Sequence, residues 1–442
     1  MIKYTRIFIT ILFAAIAFKA GAQDNANSSS PYSRFGIGDI SQQLLPQNAA
    51  MGGISTATNM IGGYSTINFT NPAANSQITL TTIDVGVYGN FLTLSKDGLG
   101  SEKNKNFRLS HLAFAIPVTK RSALNFGIIP YSVVGYNYKQ TRDNFGTGLP
   151  ADSNSVNFSY SGEGGLTKAF LGYGFGIGKH LLLGANVSYI FGNVKNYSTS
   201  SIPDLYGALN TRIEESSSIA GFNFDYGVQY MIDLSETNRI ILGYSGSANT
   251  RLNSQTSNYV SHFTADVDGN EGLPIDSIVS VTGPKSKLQL PQINRFGISY
   301  RMGDKLLVGA DYSLGQWADF TIAGNKVNEY KNSQTINVGA QYTPNINKLN
   351  NYFALVDYRV GFMYNQSNLR VNNTDITQYA ATFGLGLPLR PGITNSSFYK
   401  INVSAEVGKR GALTNSLVKE NFINIRLGFT LNDKWFQRYR FD

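Results

Sequence analysis

Few side chains in this sequence can do chemistry. The 442 residues contain no Cys and three His, which removes thiolate zinc sites, iron–sulfur clusters, disulfides and cysteine nucleophiles together. His111, His180 and His262 each lack a second His at metal-ligand spacing, so neither a metal nor a cofactor is expected. His111 among inward serines is the one start for a Ser–His hydrolase, too slight to assign a catalytic residue, and the chain reads as a non-enzyme. Asp266, Asp268, Asn270 and Glu271 gather oxygen donors, but Gly269 departs from EF-hand spacing and a solvated loop is the simpler reading. Gly172, Gly174, Gly176 and Gly178 recur every second residue instead of opening a helix, so they are no phosphate loop. On one face of a strand they would let another backbone come close.

What remains is a set of charges at polar alternates of extended segments: Asp225, Arg295, Arg301, Asp311, Asp357, Arg359, Glu406 and Arg426. Four are acidic and four basic. A charge-selective porin would lean to one sign; a balanced set suits ion pairs that tie an internal segment to a wall.

Such positions require strands. Charged residues make up 15% of the chain, against roughly 25% in average soluble domains, while 26 Tyr, 27 Phe and 45 Gly take up the difference. Lys3 and Arg6 precede an apolar run from Ile7 to Phe18, and Ala20 and Ala22 hold the small-residue positions, so a secretory signal peptide cleaved after Ala22 is expected. Its removal takes the formal net charge from +9 to +6. No basic stripe suits nucleic acid, and no later apolar run reaches transmembrane-helix length. Alternation at period two fills the rest. Ile423, Ile425, Leu427, Phe429 and Leu431 alternate with Asn424, Arg426, Gly428 and Thr430; Phe222, Phe224, Tyr226 and Val228 alternate with Asn223, Asp225 and Gly227.

Fourteen such segments lie between residues 80 and 431. Connections after even-numbered segments are mostly short, as at Thr119–Arg121 and Gly178–Lys179, whereas Tyr197–Glu215 and Ser254–Gln289 are long loops on the opposite side. The pattern predicts an all-β, transmembrane up-and-down antiparallel barrel with periplasmic short turns. Tyr300, Tyr312, Tyr342 and Trp435 fit interfacial girdles. Residues 23–79 do not alternate and are rich in small residues, which suits a plug inside a lumen too wide for side chains to fill. The expected division is a signal peptide (1–22), a plug (23–79) and a barrel (80–442).

Ala50-Met51-Gly52-Gly53, the small-residue stretch after it, Asn71-Pro72-Ala73 before the first strand, and Pro130-Tyr131-Ser132 in the third resemble the FadL/TodX family of outer-membrane transporters. The resemblance implies a hatch inside the barrel and passive transport of hydrophobic or amphipathic small molecules such as fatty acids. It also implies a lateral opening at Pro130, Tyr131 and Gly135, in an outer-membrane, lipid-embedded protein. Phe35, Ile37, Leu44, Leu45, Met51 and Ile54 are the plug residues that would line an apolar pocket, and Asn71, Pro72 and Ala73 form the plug motif. Ser30-Pro-Tyr-Ser-Arg-Phe-Gly-Ile-Gly-Asp39 resembles the Bacteroidota version of the family. Members of that lineage also serve as accessory barrels with protein partners in outer-membrane protein assembly or type IX secretion complexes, which is the alternative function.

Overall fold

The computed structural model describes residues 30–61, 64–143, 155–202, 207–265, 271–348, 350–389 and 398–434. The signal-peptide stretch, Trp435, and Asp266, Asp268 and Asn270 of the acidic cluster lie outside them. Among the described residues no helix is long and apolar enough to cross a membrane. Fourteen antiparallel strands form the wall instead. They are β1 Thr81–Lys96, β2 Glu102–Thr119, β3 Ser122–Arg142, β4 Val156–Ile177, β5 Leu181–Ser201, β6 Asn210–Asp233, β7 in two pieces (Asn238–Ser247 and Arg251–Ala265), and β8 in three pieces (Glu271–Thr282, Ser286–Gln289 and Ile293–Met302). The others are β9 Leu306–Gly315, β10 Ser333–Tyr342, β11 Asp357–Val371, β12 Thr374–Leu389, β13 Phe398–Arg410 and β14 Val418–Asp433. β14 closes on β1 from Val418↔Lys96 to Asp433↔Thr81, so the sheet has no terminal edge in the membrane.

Side-chain alternation produces two unlike faces. Phe222, Phe224, Ile298, Val308, Val338, Val360, Phe362, Ile423, Ile425 and Leu427 are exposed, forming the outward band that lipid solvates. Tyr312 and Tyr342 are exposed as well. The opposite face carries glycines, Asn, Ser and charge, and lies against the N-terminal segment.

That segment contains 3-10 turns at Pro31–Arg34 and Pro72–Gln77, a two-residue strand at Asp39–Ile40, a short helix at Pro46–Ala49 and a small hairpin, Met60–Ile61 with Tyr64–Ser65. It is buried without a break from Leu45 to Asn59, and Ala50, Met51, Ile54, Ala73, Ala74 and Ile78 are at 0% exposure. Its backbone touches the wall at glycines. A methyl group on Gly339 would overlap the Met51 carbonyl, one on Gly361 the Gly52 amide, one on Gly243 the Thr56 carbonyl, and one on Gly184 the Pro72–Ala73 peptide. Of the four β4-region glycines, Gly174 meets Ser76 and Pro72, whereas Gly172 faces Asn186 and Asn125 and Gly176 faces Leu182 and Arg121. Gly178 is not in the strand but in the turn, at φ +60° with open space around it.

The two long loops are the main departure from the sequence reading. β5 continues to Ser201 and β6 begins at Asn210, paired to Ser200↔Thr211; Ser254–Gln289 is largely a ribbon extending β7 and β8. At about 3.4 Å per residue, the 24 residues of β6 run roughly 80 Å, far beyond the ~30 Å hydrocarbon core. Beyond the membrane a strand need not keep an apolar face toward lipid, so the stretch Tyr197–Ser201 carries no apolar alternate and loses the signal that marks a strand. Tyr352–Leu355 is a helical turn that leads into β11.

The outer mouth is closed by one apolar cluster in which Tyr32 and Ile37 of the N-terminal segment meet Tyr131, Leu166, Ile190, Leu252, Trp317, Phe320, Tyr330 and Leu417. The rings of Trp317, Phe320 and Tyr330 have centroids 5.0–5.8 Å apart, a spacing that adds about 0.5–1.5 kcal/mol per pair beyond burial.

Gly361→Ala is expected to lower stability in denaturant titrations by about 1–3 kcal/mol through overpacking against Gly52. Gly100→Ala, in open space, should leave it unchanged.

Candidate functional site

β3 is the strand that leaves the ladder. Its pairing with β2 runs from Thr119↔Ser122 to Leu112↔Ile128 and ends there, while its other edge follows β4 as far as Arg142↔Val156. Register slips between Pro130 and Ser132, making Tyr131 the extra residue of a bulge. Pro130 has no N–H to give and the bulge bends the strand, so both act toward separating it from β2.

The edge released in this way is covered from inside. Ile40 and Asp39 pair with Ser132 and Val133, and the Ser41 N–H donates to the Tyr131 carbonyl at 2.9 Å. The Ser33 hydroxyl oxygen accepts the Gly135 N–H at 3.0 Å, and its O–H lies within reach of the carbonyl oxygens of Gly135, at 3.0 Å, and Ser30, at 2.7 Å. Gly38, at φ +91°, brings this strap against the Val133 carbonyl, where a side chain would collide. An ion pair between Asp39 and Arg410 at 2.8 Å fixes the strap on β13, and the Ser30 hydroxyl donates to Glu420 on β14 at 2.6 Å.

A cavity of about 210 Å³ opens at this interruption, between Ser41–Leu44 of the strap and Tyr88, Arg108, Pro130 and Arg426 of the wall. The guanidinium groups of Arg108 and Arg426 both lie over the Tyr88 ring, at 4.6 and 5.1 Å from its centroid. Arg426 is neutralised by Glu406 at 3.1 Å and donates to Gln42 of the strap at 2.8 Å. Among the described residues Arg108 has no carboxylate at ion-pair distance. A second cavity, of about 240 Å³, runs along the strap past Lys168, Asp225, Arg295, Asp311 and Trp317.

The expected lumen charges divide into three groups. Asp311 and Arg426 join the wall to the segment, Asp311 by accepting the Ser55 and Thr56 N–H groups at 2.7 Å each. Asp225, Asp357, Arg359 and Glu406 pair within the wall: Asp225 with Lys168 at 2.6 Å and with the Ser247 hydroxyl, Asp357 with Arg359 and Lys400 at 2.6 and 2.7 Å, and Glu406 with Arg426. Among the described residues no ion pair joins Arg295 or Arg301 to the segment or the wall. Arg295 borders the larger cavity without an ion pair, and Nε and Nη1 of Arg301 are buried without hydrogen-bond partners. These two depart from the expected tie between plug and wall, because a β position fixes which face a side chain occupies but not whether a counter-charge stands at the same height.

Sequence reading missed Lys168, Lys400, Asp39, Arg410 and Glu420. Lys168 shares the parity of Gly172 and Gly174, so the inward face of β4 already announced it. Asp39, Arg410 and Glu420 gain meaning only through partners hundreds of residues away, and Lys400 through Asp357, 43 residues away. His111, fully buried, closes a further network. Its Nε2 bonds Asp84 at 2.6 Å, which makes that nitrogen the donor, and its Nδ1 is 3.1 Å from the Ser110 hydroxyl. Thr430 also donates to Asp84, so the network joins β1, β2 and β14. Among the described residues no group of His, Asp and Glu is arranged to hold a metal.

Asn71 does more than start a turn. Its carboxamide oxygen accepts the Ala73 N–H at 3.1 Å, capping the turn that Pro72 begins, and its NH₂ reaches the carbonyls of Thr56, Val228 and Tyr244 at 2.7, 3.2 and 3.3 Å. The apolar residues expected to line a pocket are mostly core instead. Ile37, with Phe35 against it, belongs to the mouth cluster; Leu45 packs with Phe69 and Phe170; Met51 and Ile54 pack with Leu307. Leu44 alone of the six borders both cavities.

A closed fourteen-stranded barrel with an interior N-terminal segment and a broken β2–β3 seam defines an outer-membrane-type β-barrel of the FadL/TodX architecture. The family model BamG matches residues 1–442, and the chain belongs to the BamG family. No curated protein matches it in sequence. Its fold is similar to the toluene transporter TodX of P. putida, at 14% identity and a TM-score of 0.57 over 89% of this chain and 99% of that one. It is likewise similar to the toluene transporter TbuX of Ralstonia pickettii (16%, 0.54, 88% and 98%) and to a FadL homologue of Pseudomonas aeruginosa (13%, 0.51, 88% and 97%).

Asp311→Ala removes both charge-assisted bonds to the segment. It should cost about 3 kcal/mol and speed hydrogen exchange at the Ser55 and Thr56 amides, while Asp311→Asn, which keeps an acceptor, should lose about half as much.

Proposed function

We propose that this chain is a passive outer-membrane conduit for hydrophobic or amphipathic small molecules, and that the solute leaves or enters the wall at the β2–β3 seam. The observation that carries the reading is the coincidence of three features at one place: the ladder ends at Leu112↔Ile128, Pro130 and the Tyr131 bulge turn β3 aside, and the cavity bordered by Arg108 and Pro130 lies behind the interruption. A hydrophobic solute gains roughly 25 cal/mol per Å² of apolar surface on passing from water to lipid, so no energy source is needed, only a gap in the hydrogen-bonded wall. The solved structures with this fold include two toluene transporters, which supports the same class of cargo. In this reading residues 1–22 are the export signal, residues 23–79 the plug and residues 80–442 the barrel, and the sequence from Ser30 to Asp39 marks a Bacteroidota lineage. The Arg108 guanidinium, which borders the cavity and has no carboxylate partner among the described residues, would meet the polar end of an amphipathic molecule.

One observation favours a second reading. Both cavities are small and bordered largely by polar side chains, and the mouth cluster is fully packed, which suits an accessory barrel of an outer-membrane protein assembly or type IX secretion complex. Purification in mild detergent separates the two, since a bound lipid-like molecule supports the conduit and a stoichiometric protein partner with an empty lumen supports the accessory role.

Pro130→Val restores an N–H and should let β3 rejoin β2. Uptake of toluene by cells carrying that variant should fall at least fivefold with the amount of folded barrel unchanged; undiminished uptake removes the seam from the path.

A further inference from the structure

The lipid-facing surface of β13, β14, β1 and β2 changes chemistry at one height. In the outer half of these strands the outward column is uncharged and largely apolar up to Val407, Ile423, Phe91 and Phe107, and register sets the first three on one line. One step further out, the outward positions of the four strands are Lys409, Asn421, Thr93 and Lys103, again on one line, which Tyr379 of β12 continues. Lys105 stands one step below Lys103, and Lys419 one step above Asn421. Four lysines therefore crown the apolar band where it ends. Exposed Tyr379 beside them is the kind of residue that marks a membrane–water boundary.

Among the described residues no carboxylate shares these outward strand positions. Glu406, Glu420 and Glu102 of the same strands occupy inward alternates, and Asp97 lies in the turn above. None of Lys103, Lys409 and Lys419 has a carboxylate at ion-pair distance among the described residues. Above the band elsewhere the opposite holds, since Lys195 on β5 pairs with Glu214 at 3.7 Å and Lys331 with Asp375 at 2.5 Å. A row of like charges repels itself, and an anion placed among them relieves the repulsion.

We propose that this face holds a phosphorylated glycolipid of the outer leaflet, a lipid A-type molecule, with its phosphate among the four lysines and its acyl chains against Val407, Ile423 and Phe107. The face demands both parts of such a ligand. A soluble anion would leave the band below it uncovered, and bare hydrocarbon would leave the lysines uncompensated. Lys409 and Lys103 are three strand steps apart, so at ~4.8 Å per step their backbones stand about 14 Å from each other. That span exceeds a single glycerophospholipid head group and suits a phosphorylated disaccharide set over several chains. Ammonium-to-phosphate hydrogen bonds are charge-assisted, and beside a hydrocarbon layer they are less weakened than in open water. The site lies on the outside of the wall and does not rest on the conduit reading.

The test is native mass spectrometry of the protein purified in mild detergent and titrated separately with lipid A, with lipid A stripped of phosphate, and with phosphatidylglycerol. Lipid A should bind at least tenfold more tightly than either of the others. The triple variant Lys103→Gln, Lys409→Gln and Lys419→Gln should lose that binding at least tenfold, the same three positions changed to Arg should keep it, and Lys195→Gln should leave it unchanged. Heat-modifiable gel mobility confirms that each variant folds. Undiminished binding by the triple Gln variant, equal binding of phosphate-free lipid A, or a preference for phosphatidylglycerol would overturn the proposal.

Discussion

Contact of backbone on backbone across glycine is the interaction on which the rest of this molecule depends. Met51–Gly52, Thr56 and Pro72–Ala73 of the N-terminal segment press against Gly339, Gly361, Gly243 and Gly184 of the wall with no room for a methyl group. The approach is close enough for wall side chains to satisfy the segment's own donors, as Asp311 does for Ser55 and Thr56 and Thr382 for Gly52. A segment with little regular secondary structure would otherwise bury unpaired amides at a cost of about 1–3 kcal/mol each. The glycines therefore do not loosen the wall; they let a nearly helix-free chain be buried inside it.

The seam follows from the same contact. A barrel in lipid cannot leave strand edges bare, so β3 can part from β2 only if something else meets its released edge. Asp39–Ile40, Ser41 and Ser33 meet it at Val133, Ser132, Tyr131 and Gly135, and they are held at the right height because the segment behind them is fixed on the glycine column. In the proposed path, opening the seam would mean parting a few ladder and hydroxyl bonds, each worth about 0.5–1.5 kcal/mol net.

The wall was legible from the sequence because a membrane strand must keep one apolar face, and Phe222 to Val228 or Ile423 to Leu431 display it plainly. Strand number and the position of Pro130 came with it. The ribbon beyond Ser254, within the stretch Ser254–Gln289, was read as a loop because outside the membrane both faces are solvated and the alternation disappears. The pairing of charges was only partly legible. Parity places Asp225 and Lys168 on the inner face, but that Lys168 sits beside Asp225, that Arg410 reaches Asp39 and that Arg295 has no ion-pair partner among the described residues depend on strand stagger, which no local pattern encodes. Phe35, Ile37, Met51 and Ile54 are apolar in the sequence, yet whether such residues border a pocket or fill a core is decided by what faces them.

The most direct measurement exploits the absence of native cysteine. Ile40→Cys and Ser132→Cys occupy directly paired positions, at the ~4.5–5.5 Å Cα separation of antiparallel neighbours, within disulfide range. With the bond formed, the strap is locked on β3, and cells should lose most of their uptake of toluene and regain it on reduction. Uptake that is equal in the oxidised and reduced states would contradict a seam that opens for the solute.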